Sequence, residues 1–128
     1  MRIASFIILP LALMASASVS GQSRALVEVH LSSFRFTPRT LVFDHGRPYT
    51  LLLVNRTGAG HDFTAPEFFG RSRVAAASQR LVEGGEVDVP PGQVREIRLV
   101  APPPGTYSLK CSHTLHKFFG MSGTIIVR

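Results

Sequence analysis

At 128 residues the chain has room for one domain around a single core and little room for two. Its apolar share of 45% suits a packed interior, with nine phenylalanines supplying bulk where tryptophan is absent, and its 11 glycines and nine prolines argue for short strands and turns over long helices. The net charge of +6 comes mostly from arginines scattered without a dense run, which excludes the clustered basic patch of a nucleic-acid binder and leaves a modest positive field.

The chain opens with Met1 and Arg2, an apolar run from Ile3 to Met14, and the small residues Ala15 to Gly21. A charged start, a short apolar stretch and a small-residue cleavage region predict a secretory signal peptide over residues 1–21, cut near 17–21. The run falls short of the roughly 20 apolar residues that span a bilayer, so no stable membrane insertion is expected after cleavage. No cysteine follows it, which excludes a lipid-modified N-terminal cysteine. The mature domain is then 22–128, in an oxidising compartment, with a bacterial periplasm the expected one. It holds one cysteine, Cys111, which has no internal partner for a disulfide, and a bound metal is the most economical occupant for an exported lone thiol.

Leu26 to Leu31 alternates, with Val27, Val29 and Leu31 sharing a face, the pattern of a half-buried strand. Phe34 to Phe43 follows, broken into two extended pieces by Pro38. Asp44 to Pro48 has turn composition, Tyr49 to Val54 is a continuous apolar strand, and Asn55 to Gly60 is a loop. Residues 67–84 depart from strand patterning. Ala75, Ala76 and Ala77 with Gly84 and Gly85 beyond them predict a short helix around Val74–Leu81, on an excursion out of the sheet. Glu86 to Val89, Val94 to Val100, Thr106 to Lys110 and Gly123 to Arg128 resume strand patterning, separated by Pro-Gly turns. Six or seven short strands with regular turns predict an all-β, two-sheet β-sandwich.

The densest chemistry lies between Cys111 and Met121. One thiolate, the imidazoles of His113 and His116, and one thioether fall within this stretch, with four residues between Cys111 and His116 and four between His116 and Met121. Tyr107, Leu109 and Cys111 share a parity on the incoming strand, which points Cys111 into the core end of the sandwich. Thiolate, imidazole and weak thioether form the donor set of a blue copper centre, which also needs a second histidine. His61, after the strand 49–54 and the loop 55–60, is the candidate. His113 reads as a surface or outer partner of the site, and His30 and His45 as surface histidines.

The spacing C-x4-H-x4-M resembles the ligand loop of cupredoxins, with its nearest likeness to the plastocyanin- and auracyanin-like members. Phe34-x-Phe36-x-Pro38-x-x-Leu41-x-Phe43-x-x-Gly46 resembles the first hairpin of those domains, and Asn55-x5-His61-x-Phe63 their first histidine segment. The resemblance spans residues 26–128 apart from 67–84 and implies a Greek-key cupredoxin-like sandwich holding one type 1 copper ion. His61, Cys111 and His116 would be its equatorial ligands and Met121 the axial one. It further implies a monomeric, non-enzymatic carrier of single electrons between redox partner proteins. The modest positive field would suit a partner with an acidic docking surface, and Leu115, Phe118 and Phe119 would form an apolar docking patch. Where relatives often carry Asn after the first histidine this chain has Asp62, whose charge would favour Cu(II) unless Arg56 or Lys117 compensated it.

Three other readings compete. A copper chaperone without an electron partner would want a methionine-rich site, whereas the mature chain keeps only Met121. A zinc site of two histidines and one cysteine would use the same residues without redox chemistry. A Cys–His nucleophile pair would leave His61 and Met121 unexplained.

Overall fold

The computed structural model describes residues 23–113 and 121–128. Their strands are β1 (Ala25–Ser32), β2 (Arg35–Thr37), β3 (Thr40–Phe43), β4 (Pro48–Val54), β5 (His61–Thr64), β6 (Arg73–Val74), β7 (Glu86–Val89), β8 (Val94–Val100), β9 (Gly105–Lys110) and β10 (Ser122–Val127). Two short helices, α1 (Pro66–Arg71) and α2 (Ala76–Gln79), flank β6. The predicted leader, residues 1–21, lies outside the described residues, as does His116.

The strands form two five-stranded sheets, in the orders β2-β1-β4-β8-β6 and β3-β10-β9-β5-β7. Alternation decides which side chains meet between them. On β4 the inward set Tyr49, Leu51 and Leu53 is buried, and on β9 so are Tyr107 and Leu109. The chain changes sheets between β2 and β3 at the cis peptide Thr37–Pro38, so the two pieces divided by Pro38 lie in different layers. β1 runs parallel to β4, and β3 parallel to β10, while the other pairings are antiparallel. The predicted two-sheet sandwich is thus what the chain forms.

The segment after β5 differs from its expected course. The helix expected around Val74–Leu81 forms in its middle only. Arg73 and Val74 instead pair with Val100 and Leu99 as an edge strand, and the helix that follows is confined to Ala76–Gln79. Long-range hydrogen bonds hold this arrangement, from Ala75 N–H to the Arg98 carbonyl at 2.8 Å and from Arg98 N–H to Ser78 Oγ at 3.0 Å. Ala76 and Ala77 are helical, while Ala75, extended at the N-cap, and Val74 before it are taken by tertiary pairing over helix propensity. Helix α1 is not among the expected elements. Pro66 opens it at a position where a missing N–H costs nothing, and Ser72 closes it by donating through N–H and Oγ to the Phe68 carbonyl.

The excursion therefore turns inward at α1. Phe68 and Phe69 are buried and join Phe43, Phe63 and Tyr107 in edge-on or tilted ring contacts with centroids 5.1–5.9 Å apart. Burying each phenylalanine is worth about 1.5–3 kcal/mol. By pairing β6 to one sheet and returning through β7 to the other, the segment closes one side of the sandwich. Gly85 makes the return: its φ is +79°, and a Cβ there would lie 2.3 Å from Pro66 Cα.

Candidate metal centre

Three of the four expected ligands lie at one end of the sandwich. β4 ends at Val54, the loop 55–60 turns the chain, and β5 begins at His61, which pairs with Val89 and is fully buried. β9 ends at Lys110, directly before Cys111, and β10 begins after Met121. Cys111 N–H donates to the Met121 carbonyl at 3.1 Å, so thiol and thioether leave neighbouring strands side by side, each 1% exposed. The parity argument holds, with Tyr107, Leu109 and Cys111 all buried. The fourth expected ligand, His116, lies outside the described residues, and so do Leu115, Lys117, Phe118 and Phe119.

The His61 ring is set by two residues of the preceding loop. Its Nε2 lies 3.0 Å from Thr57 Oγ1, and that hydroxyl lies 2.8 Å from Asn55 Oδ1. The same hydroxyl lies 3.0 Å from the Ala59 carbonyl, so Thr57 links the His61 ring to the loop that precedes it. Asn55 is itself buried and anchored. Its Nδ2 lies 2.8–3.2 Å from the carbonyls of Ala59, Val89 and Pro90, and its Oδ1 also accepts Thr57 N–H. One amide thereby ties the loop to the end of β7 and orients the residue that orients His61.

Cys111 meets β5 at Asp62. Burial pushes its thiol pKa above the ordinary value; the backbone N–H groups of Asp62 and His113 pull the other way, and the Asp62 carboxylate adds to the rise. Asp62 is fully buried beside it. Oδ1 accepts from Thr64 Oγ1 at 2.6 Å and Ser112 N–H at 2.8 Å, while Oδ2 accepts from Ser112 Oγ at 2.7 Å and lies 3.8 Å from Cys111 Sγ. His113 is half-exposed, with Nε2 3.6 Å from Asp62 Oδ2 and 4.0 Å from Asp88 Oδ1. Its ring packs on Gly60, where a Cβ would lie 3.3 Å from His113 Cε1. This matches the expected place of His113 beside the centre.

Asn55, Thr57, Thr64 and Ser112 carry this geometry, and the sequence reading gave none of them a role. Ser112 finds Asp62 on another strand and Thr57 finds His61 across a turn, while Thr64 reaches back two residues along β5, and none of the three is marked by hydrophobic pattern. Among the described residues no group of three or more His, Cys, Asp or Glu side chains could by itself hold a metal ion. What this end of the fold offers is a buried thiol, a buried imidazole and a buried thioether. That mixture of soft sulfur and borderline nitrogen donors fits copper and fits magnesium or calcium poorly.

Comparison with known proteins follows the same direction. A family model described as Cupredoxin-like domain matches residues 4–127. A search of curated protein sequences finds no match. Among solved structures, the fold is shared with the reduced auracyanin of the photosynthetic bacterium Roseiflexus castenholzii (20% identity, 84% of this chain and 99% of that one, TM-score 0.61). It is also shared with auracyanin A of Chloroflexus aurantiacus, described as a "blue" copper protein (15% identity, 83% and 100%, TM-score 0.60). The McoA multicopper oxidase of Aquifex aeolicus contains the fold within a longer chain (17% identity, 92% of this chain and 32% of that one, TM-score 0.62).

Proposed function

The chain belongs to the cupredoxin-like domain family, and from that premise we propose that it is an exported mononuclear blue copper protein that carries single electrons between redox partners. The observation that carries this reading is the burial of the chain's one cysteine, bonded through its backbone to Met121, at the end of the sandwich where His61 is also buried. His61, Cys111, His116 and Met121 would hold one copper ion. Bound there, copper would supply a Cu(II)/Cu(I) couple in a donor set that suits both states with little structural change.

The protein's own part is to hold donors still and keep water out. Thr57 and Asn55 hold the His61 ring from the preceding loop, so the imidazole would meet a metal with its orientation already restricted. The ladder bond between Cys111 and Met121 fixes the two sulfur-bearing residues relative to each other. Phe36 and Phe63, fully buried and in edge-on contact at 5.9 Å, close the core beneath β5. In this reading Leu115, Phe118 and Phe119 surround His116 and form the apolar patch on which a partner protein docks. The residues before 22 direct export to the periplasm and are removed, and the mature domain acts as a monomer. With one cysteine and one ligand cluster in the sequence, the reading is of a carrier rather than an enzyme.

The test is to express residues 22–128, add Cu(II), and record visible absorption and EPR spectra. An intense thiolate-to-copper band with narrow copper hyperfine splitting, both lost in Cys111→Ser, is expected. A colourless protein, or a weak band that survives Cys111→Ser, would reject the reading in favour of zinc binding or copper handling elsewhere on the chain.

A further inference from the structure

Four arginines meet at the end of the sandwich opposite Cys111. Arg24 leads into β1, with Nη1 3.5 Å from the Tyr49 carbonyl. Arg47 precedes β4 and lays its guanidinium over the Tyr49 ring, 5.6 Å from the centroid. Arg73 opens β6 opposite Val100, which also pairs with Pro48. Arg128 follows β10, and its N–H donates to the Phe43 carbonyl. All four are exposed. The carboxylate that ion-pairs among them is Asp44, which meets Arg128 at 3.1 Å and Arg47 at 3.7 Å. Among the described residues no carboxylate ion-pairs with Arg24 or Arg73. These two line a cavity of about 270 Å³ together with Val74, Leu99 and Val100. The metal end mixes signs instead, with Arg56 and Lys110 alongside Glu86 and Asp88.

We propose that this arginine pole docks the domain on an anionic phospholipid surface, with Arg24 and Arg73 taking a lipid phosphate between them. Guanidinium groups stay charged, are weakly hydrated and take phosphate oxygens in pairs. An anionic bilayer requires no matching shape or register, only cations spread over one face, and here they come from four separate strand ends. The apolar walls of the cavity suit the carbon backbone that carries a lipid phosphate. The choice of a lipid over an acidic protein rests on the export reading above. Ser23 shares a hollow with His45, Gly46, Arg47 and Pro48, so the predicted leader joins the domain at this pole and this face meets the bilayer first. Docked in this way, the end that carries Cys111 points away from the lipid and stays open to a protein partner. The docking itself does not depend on copper.

The experiment measures co-sedimentation of residues 22–128 with vesicles of phosphatidylglycerol and phosphatidylcholine in equal parts, and with vesicles of phosphatidylcholine alone. Binding to the first and not the second is expected, weakening as salt is raised. An arginine near an anionic surface contributes about fivefold to binding, so Arg24→Gln combined with Arg73→Gln is expected to weaken it about 25-fold. Arg35→Gln combined with Arg56→Gln removes the same charge at the metal end and is expected to change binding by under about twofold, being beyond the screening length. Equal losses in the two double variants overturn the proposal, since net charge alone would then explain the binding. Equal binding to both vesicles, or binding to neither, overturns it too. Retention on immobilised polyglutamate without binding to the anionic vesicles overturns it in favour of an acidic protein surface. If the Arg24 variant does not fold, Arg73→Gln alone is expected to weaken binding about fivefold, and no change overturns the proposal. Its failure leaves the copper reading intact, which the Cys111-dependent blue band tests separately.

Discussion

The two ends of this sandwich carry the same pair of side chains in opposite settings. At one end His61 and Asp62 are adjacent and fully buried. At the other, Asp44 and His45 are adjacent in the turn between β3 and β4, with the Asp44 side chain 44% exposed. Asp44 is met by cations, Arg128 at 3.1 Å and Arg47 at 3.7 Å, whereas Asp62 is met by two hydroxyls and an amide. His45 Nδ1 lies 2.9 Å from the Pro102 carbonyl, while His61 is linked through Thr57 and Asn55 back to β7. The difference teaches that residue type does not make the site. Charge near water is neutralised cheaply by arginine, and charge held away from water among neutral donors can still act on what sits beside it.

The comparison breaks most sharply at the histidines. His61→Gly is expected to abolish the blue band on copper addition, whereas His45→Ala should leave band and potential unchanged. Absorption and redox titration of the two variants check this together. Loss of the band in His45→Ala, or its survival in His61→Gly, would assign the metal to other residues.

A second contrast lies in the loops that approach each end. Asn55→Ala leaves the carbonyls of Ala59, Val89 and Pro90 and the Thr57 N–H without the side chain that serves them, in a buried place. The expected cost is about 2–4 kcal/mol in denaturant unfolding. Copper affinity should also fall by about 10–100-fold, because Thr57 then loses the partner that holds it against His61. At the far turn Gly46 has φ +73°, and a Cβ there would meet nothing within 4 Å. Gly46→Ala therefore costs backbone strain alone, about 1–2 kcal/mol, with an unchanged copper spectrum.

How much of this was legible in the sequence follows from what is local. Most of the strands were, because alternation at Val27, Val29 and Leu31 or at Tyr107, Leu109 and Cys111 is a property of neighbours, although β5 at His61–Thr64 was not expected. Pro38 likewise marks its own break. The course of residues 66–85 was not. Whether Arg73 and Val74 begin a helix or join a sheet depends on β8, more than 20 residues on, and the same pairing sends Phe68 and Phe69 inward. At the centre, Cys111, His61 and Met121 announce themselves by chemistry and spacing. Asp62 drew notice as a carboxylate beside a histidine, but its partner Ser112 lies 50 residues away and cannot be found by pattern. His116, which completes the spacing, belongs to the stretch outside the described residues.

The smallest expected effect is at Asp44. Asp44→Asn removes the charge partner of Arg128 and Arg47, both more than half exposed, and keeps the residue's size. Exposed pairs of this kind contribute about 0.2–1 kcal/mol and are screened by salt. Unfolding by denaturant should therefore shift by under about 1 kcal/mol at low salt and by less at high salt. The reduction potential should not move, since the lost charge was already balanced and lies at the other end of the sandwich from Cys111.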